Sequence, residues 1–415
     1  MKSSVAKNRV TPQGHPGLSS DAVVVTGSDY SDPSFSSALI EWQKQHGRHG
    51  LPWQQSREAY RVWLSEIMLQ QTQVTAVIPY YQRFLESFPT VFDLAAAPVD
   101  DVMAHWSGLG YYTRARNLHQ CAKQVVERYQ GHFPADPVLL QQLPGIGRST
   151  AAAVTAFSYG TVAAILDGNV KRVFARVFGI DGYPGSKPVE DQMWKRAQAL
   201  LPEQDIRAYT QGLMDLGATV CTRSSPKCRQ CPFVARCVAY LDGRTAELPV
   251  RKPKQAVKEK HAVMLVVQDG VQVLLERRPP TGIWGGLLSL PELAGMQESN
   301  EVITSIDAQV AMVRQSAGRF GEVASMTVLP VFSHVFTHFK LHVLPVQVNL
   351  ARRHNQIAET AHSWQNLGDV AELGLPAPVK TLLLNLAEQT GLSSPAAGSQ
   401  AMLPFGASVT PSFTE

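Results

Sequence analysis

Two carboxylates and four clustered cysteines are the side chains in this sequence best placed to do chemistry. Glu66 lies in VWLSEIMLQQT (62–72), with Val62, Trp63 and Leu69 three or four positions away on the same helix. An apolar surround raises a carboxyl pKa and keeps a proton available at neutral pH, as a general acid needs. The alternative is an ordinary exposed glutamate on an amphipathic helix. Asp167 stands in ILDGNVKR (165–172), just before a predicted helix. There it can cap free N–H groups, and a carboxylate in that position is also placed to face a developing positive charge.

Four of the five cysteines fall within 17 residues, spaced Cys221-x6-Cys228-x2-Cys231-x5-Cys237. Secreted disulfide scaffolds spread cysteines along the chain, so this clustering points to a metal site in a reducing compartment. Four thiolates suit zinc or an iron–sulfur cluster. A single CxxC is unlike the paired knuckles of a zinc ribbon. Cys121 stands apart on an apolar helix face and reads as a small core residue.

The string LPGIGRST (143–150) precedes an Ala-rich helix. Gly145 and Gly147 let successive backbone N–H groups point outward together, a nest that binds phosphate at a helix N-terminus. A lone G-x-G would be an ordinary turn. The missing Gly-Lys-Ser/Thr excludes a nucleotide P-loop.

The elements that must position these groups are mostly helical up to about Tyr240. A helix is predicted for Ser36–Gly47, and three- and four-residue apolar spacing continues through Tyr60–Thr75, Asp93–Trp106, Gly110–Tyr129 and Ser149–Phe157. Near Gly243 the composition changes to a basic, proline-containing linker, which marks a domain boundary. Beyond it, HAVMLVVQDGVQVLLERR (261–278) reads as two strands around Asp269-Gly270. Further strands are predicted at Met326–Phe332 and Lys340–Val348, with a helix at Pro378–Gln389.

The chain has 415 residues, 44% hydrophobic and 17% charged, with no apolar run long enough to span a bilayer. Its start is polar and rich in Ser, Gly and Pro, without the pattern of a secretory signal. Residues 1–35 and 391–415 are expected to be disordered. The net charge of +4 is uneven: ten Lys/Arg against three acids between Cys221 and Lys260 give that segment +7 and leave −3 elsewhere. Such a stretch attracts phosphate or serves as a solvated linker.

The strings SEIMLQQTQV, LPGIGRST and LDGNVKR, together with the cysteine spacing, resemble the MutY branch of the helix–hairpin–helix base-excision repair glycosylases, which also include endonuclease III. The resemblance covers about Ser36 to Gln389 and is densest in the first half. It implies a multidomain protein: an all-α glycosylase domain (36–243) with a helix–hairpin–helix at about 140–157 and a [4Fe–4S] cluster loop at 221–237, a basic linker (244–261), and an α+β MutT/Nudix-like domain (262–390). The cofactor implied is a [4Fe–4S] cluster on Cys221, Cys228, Cys231 and Cys237.

The resemblance also assigns roles. Glu66 protonates adenine, Asp167 stabilises charge on the sugar, and Asn169 orients Asp167. Relatives that cleave the backbone carry a Schiff-base lysine at the position of Ser149, and a hydroxyl cannot form that imine, so the implied enzyme removes a base and stops. Lys171 lies outside the matching position. Trp53 and Gln211 match the adenine pocket. Gln71 and the GLGYY loop (108–112) match intercalating elements, with Tyr112 expected beside the oxidised guanine and Tyr111 equally suited to core packing. PPTGIWGGLLSLP (279–291) resembles the MutT-like half without the REXXEEXG metal signature, which implies a reader of 8-oxoguanine through Phe336, Thr337 and His338. The implied partner is double-stranded DNA with A:8-oxoguanine or A:G mispairs, and the implied protein is a cytoplasmic bacterial monomer.

Overall fold

The computed structural model describes residues 30–252, 258–279, 281–293, 306–336, 338–354 and 362–392. The expected extension up to residue 29, linker residues 253–257, Thr337 and the tail from 393 lie outside the described residues.

The first part is helical: α1 (Pro33–His46), α2 (Ala59–Leu69), α3 (Val74–Ser87), α4 (Val91–Ala96), α5 (Val99–Trp106), α6 (Thr113–Tyr129), α7 (Pro137–Leu140), α8 (Arg148–Tyr159), α9 (Gly168–Val177), α10 (Lys187–Ala199), α11 (Ile206–Asp215) and α12 (Val238–Leu241). α1 starts three residues before Ser36 because Asp32 caps it, accepting from Phe35 N at 3.2 Å, with Pro33 in the first turn.

The apolar stripes of these helices close two cores. One gathers Trp63, Met68, Phe84, Leu94, Trp106 and Leu118 from α2–α6. The other gathers Phe35, Leu39, Phe174, Leu213 and Phe233 around α1, α9 and α11, with Phe35 stacked on Phe233 at 4.3 Å. α8 serves both, turning Ala151 and Val154 to the first core and Ala152, Ala153 and Ala156 to the second. A helix of small residues can approach neighbours on two sides, which is why the Ala-rich run follows the glycine hairpin.

The second part is a mixed sheet of β1 (Lys258–Asp269), β2 (Gln272–Arg277), β3 (Leu288–Ser289), β4 (Gly321–Val328), β5 (Phe332–Val335), β6 (Phe339–Arg353) and β7 (His362–Asn366), with α13 (Ile306–Gly318) and α14 (Ala377–Gln389). The order is β3-β2-β1-β6-β4, with β5 on β6 and β7 on β2. β1 and β6 run parallel, with Lys258 opposite Phe339 and Gln268 opposite Asn349. β1 is buried without alternation from Ala262 to Gln268, as expected of a central strand covered on both faces. It starts at Lys258, four residues before the expected domain start, because the ladder with β6 begins there. Leu265, Val267, Val313 and Phe320 share one layer, while Met264, Val266, Val379 and Leu383 join the first helical core.

That shared core holds the two parts together. Arg277 grips Asp100 through both guanidinium nitrogens at 2.6 and 2.7 Å, Ser107 Oγ donates to Leu375 O at 2.9 Å, and Arg116 donates to Gly285 O. Among the described residues no helix is long and apolar enough to cross a membrane.

Candidate active site

α2 buries Val62, Trp63, Leu64, Ile67 and Met68 and leaves Glu66 on the edge of a cleft. The cleft is open on one side, has a volume of about 360 Å³ and is lined by Trp53, Glu66, Leu69, Arg48 and Gln211, among others. Trp53 is nearly buried and set edge-on to Tyr81, so its face is held as part of the wall. Two expected pocket residues, Trp53 and Gln211, therefore meet Glu66 in one cavity. Burial raises the Glu66 pKa to about 8, and the neighbouring Asp167 carboxylate adds to the rise. A carboxyl group in this state is a proton donor at neutral pH.

Asp167 is the N-cap of α9: its Oδ1 accepts from Val170 N at 2.8 Å. Burial pushes its pKa up, while N–H groups of Val170 and Asn169 and the Arg172 guanidinium hold it back. Asn169 is fixed in turn by Arg172, whose Nη2 donates to Asn169 Oδ1 at 2.8 Å and to Gly217 O at 2.6 Å. A Cβ on Gly217 would stand 2.5 Å from Asn169 Cβ, so only glycine allows this approach.

The same helix reaches the cysteines. Arg172 Nε donates to Cys221 O at 2.7 Å, and one turn later Arg176 Nη1 donates to Cys221 Sγ at 3.4 Å and to Thr222 O at 2.7 Å. Cys221, Cys228, Cys231 and Cys237 all line one small cavity walled by Val173, Val177 and Leu216. Among the described residues no three His, Cys, Asp or Glu side chains converge on a single ion. Four sulfurs around an apolar cavity, with a guanidinium donating to one of them, fit a compact cluster that takes one bond from each thiolate.

The predicted helix at Tyr60–Thr75 is broken after Leu69, and α3 restarts at Val74. Arg114 caps the break. Its guanidinium is buried and donates to the carbonyls of Ile67, Met68 and Gln70 at 2.7–3.0 Å, and across the gap to those of Leu109 and Gly110 at 3.1–3.2 Å. Desolvation lowers its pKa to about 10. The last carbonyls of a helix have no partner within it, so the guanidinium caps them and ties two loops to one cation. Each carries a residue in the left-handed region, Gln71 at φ 57° and Tyr111 at φ 50°. Arg114→Met should lower the unfolding free energy by about 3 kcal/mol, because the orphaned carbonyls lose charged donors. Urea denaturation measures this, and a loss below about 1 kcal/mol would mean that the loops hold their own shape.

The tyrosine pair is the reverse of the expectation. Tyr112 is half-buried against the core, and its hydroxyl accepts from Gly108 N at 3.4 Å. Tyr111 is 48% exposed, with its ring over Arg114. The positive φ at Tyr111 swings its side chain outward, so Tyr111 and Gln71 are the residues this edge presents, and Tyr112 supports them.

Between α7 and α8, Gly145 adopts φ 77° and a Cβ there would lie 2.9 Å from Asn117 Cβ. Gly147 is the N-cap of α8. The Ser149 hydroxyl accepts from Leu166 N at 3.0 Å, which anchors the segment leading into Asp167. In the second domain, Phe336 follows β5, stacks on Phe339 at 4.4 Å and lies 5.9 Å from Trp284; His338 is exposed.

Sequence reasoning missed Arg48, Arg114, Arg172 and Asp215. Charged residues on otherwise apolar helix faces were the available signal for Arg114 and Asp215, which are buried, but their partners lie far away in sequence.

A family model described as HhH-GPD superfamily base excision DNA repair protein matches residues 64–199, and a NUDIX domain model matches 262–385. Adenine DNA glycosylase of Buchnera aphidicola subsp. Schizaphis graminum is 35% identical over 84% of this chain and 97% of its own length. That of the Acyrthosiphon pisum subspecies is 34% identical over 85% and 97%. The Mus musculus protein of the same name is 34% identical over 76% of this chain and 70% of its own. With two domain models in the observed order and relatives matched along nearly their full length, this chain belongs to the adenine DNA glycosylase family.

Proposed function

We propose that the protein extrudes adenine opposite 8-oxoguanine or guanine from duplex DNA and hydrolyses its N-glycosidic bond, leaving an abasic site. The observation that carries this reading is the Glu66 carboxyl, kept protonated to about pH 8 in a cleft walled by Trp53 and Gln211, with the Asp167 carboxylate close enough to add to the rise. A base inside a stacked duplex is out of reach, so it must be flipped into that cleft. Glu66 donates its proton to a ring nitrogen of adenine, which otherwise departs as a poor anionic leaving group. As the C1′–N9 bond breaks, its electron pair leaves with the protonated adenine, Asp167 stabilises the positive charge growing on the sugar, and water then adds to C1′ and gives up a proton to the Glu66 carboxylate, which restores the acid. Asn169 and Arg172 keep Asp167 in place. Ser149 supplies no amine, so no imine forms and the strand is left intact.

The duplex is gripped by the hairpin N–H groups around Gly145 and Gly147, and Gln71 with Tyr111 fills the gap left by the flipped base. The loop Phe336, Thr337 and His338 on domain 262–390 reads the oxidised guanine. Cys221, Cys228, Cys231 and Cys237 hold a [4Fe–4S] cluster, which braces the basic loop behind α9. The protein acts as a monomer in the bacterial cytoplasm.

The test uses duplexes with adenine opposite 8-oxoguanine, guanine or thymine, treated with or without alkali after incubation. Breaks should appear only after alkali and only for the first two. Breaks without alkali, or none at all, contradict the reading. The same purified protein should hold about four irons per chain, and stoichiometric zinc instead would reassign the cysteines.

A further inference from the structure

Asp215 is fully buried at the end of α11, and the chemistry above makes no use of it. Its Oδ1 accepts from Gln211 Nε2 at 2.8 Å and from Arg48 Nε at 2.7 Å, and its Oδ2 accepts from Arg48 N at 2.8 Å. Gln211 and Arg48 both line the cleft that holds Glu66. We propose that Asp215 fixes which end of the Gln211 carboxamide faces the cleft, and that this makes the protein select a 6-aminopurine over a 6-oxopurine. The proposal rests on the adenine reading and deepens it.

A free glutamine can offer either its NH₂ or its oxygen to a ligand, and the two ends are alike in shape. A carboxylate accepts only. Four residues along one helix face, Asp215 therefore takes an N–H of the Gln211 carboxamide and holds its nitrogen end, which turns Oε1, an acceptor only, toward the cleft. Adenine presents a 6-amino donor there. Guanine and hypoxanthine present a 6-oxo acceptor, so two lone pairs would meet and both would lose water without a hydrogen bond in return. Sites built around such a polar contact discriminate far more strongly than apolar pockets do. Arg48 neutralises the buried carboxylate, so Asp215 acts through the orientation of Gln211 and not through its own field. It is a positioning residue.

The experiment measures single-turnover release of adenine and of hypoxanthine, each opposite 8-oxoguanine, by wild type, Asp215→Asn and Gln211→Leu. Asparagine can donate to Gln211 Oε1 and lets the carboxamide turn over. The adenine-to-hypoxanthine rate ratio should fall by about tenfold in Asp215→Asn, the worth of one correctly made polar contact. Gln211→Leu, which has neither end, should lose the same factor with Asp215 intact. General damage to the cleft slows both bases together and leaves the ratio alone. An unchanged ratio in either variant overturns the proposal, as does a wild type that removes the two bases equally. If Asp215→Asn does not fold, an unchanged ratio in Gln211→Leu still overturns the proposal. Wild type that removes neither base overturns the adenine reading itself, and the proposal falls with it.

Discussion

Glu66→Gln is expected to slow adenine excision by about 10³-fold while duplex binding is unchanged, within the range found for loss of a general acid. Glutamine keeps the shape of the side chain but has no proton to give. The wild-type rate should fall as pH rises through about 8, where Glu66 ionises. The variant's residual rate should lack that limb.

Stability follows the same proton. The folded-state pKa of Glu66 lies above its ordinary value of 4.5, so the folded protein holds this proton over a pH range in which the unfolded chain has released it. Its contribution is therefore full below about pH 4.5 and is lost as pH rises through about 8. Glutamine never ionises. Glu66→Gln should melt above wild type at pH 8 to 9, and the gap should close toward pH 4.5. Calorimetry across that range reads the gap, and single-turnover assays read the rate. Near-normal excision by the folded variant would end the general-acid assignment.

Asp167→Asn should cost about 10² to 10³ in excision rate, the usual loss when one preorganised charge is removed from a developing cation. Its melting temperature should barely move, because asparagine caps a helix as well as aspartate does and can still accept from Val170 N. The pairing of outcomes separates two roles that the residue type alone leaves together. A variant that lost stability but kept its rate would make Asp167 a cap and nothing more. Removing the charge also relieves Glu66, so the high-pH limb of the rate profile should move below about 8. A limb that stays in place would mean that burial alone sets the acid.

Much of the fold could be read from local pattern. The 3.6-residue apolar period placed α1, α6 and α8 within a few residues, and the basic, proline-containing stretch after Gly243 marked the change to a sheet, because these signals are carried by neighbours along the chain. The stop after Leu69 could not be read that way. Two carbonyls of α2 and that of its C-cap Gln70 go to a guanidinium from α6, more than forty residues on, and no helical propensity encodes a partner at that distance. The same contact turns Tyr111 outward and Tyr112 inward, a choice between identical side chains that sequence has no means of making.

The carboxylates at 66 and 167, the serine at 149 and the four cysteines were therefore determined by the sequence itself, since residue type and spacing decide which protons, amines or thiolates exist at all. Tertiary structure alone decided what state they are in. The Glu66 pKa comes from burial and from a carboxylate a hundred residues away, and Gln211 gains a direction only from Asp215, one helical turn on and itself clamped by Arg48. Desolvation and charge act through space, so they take values only when the chain has closed around them.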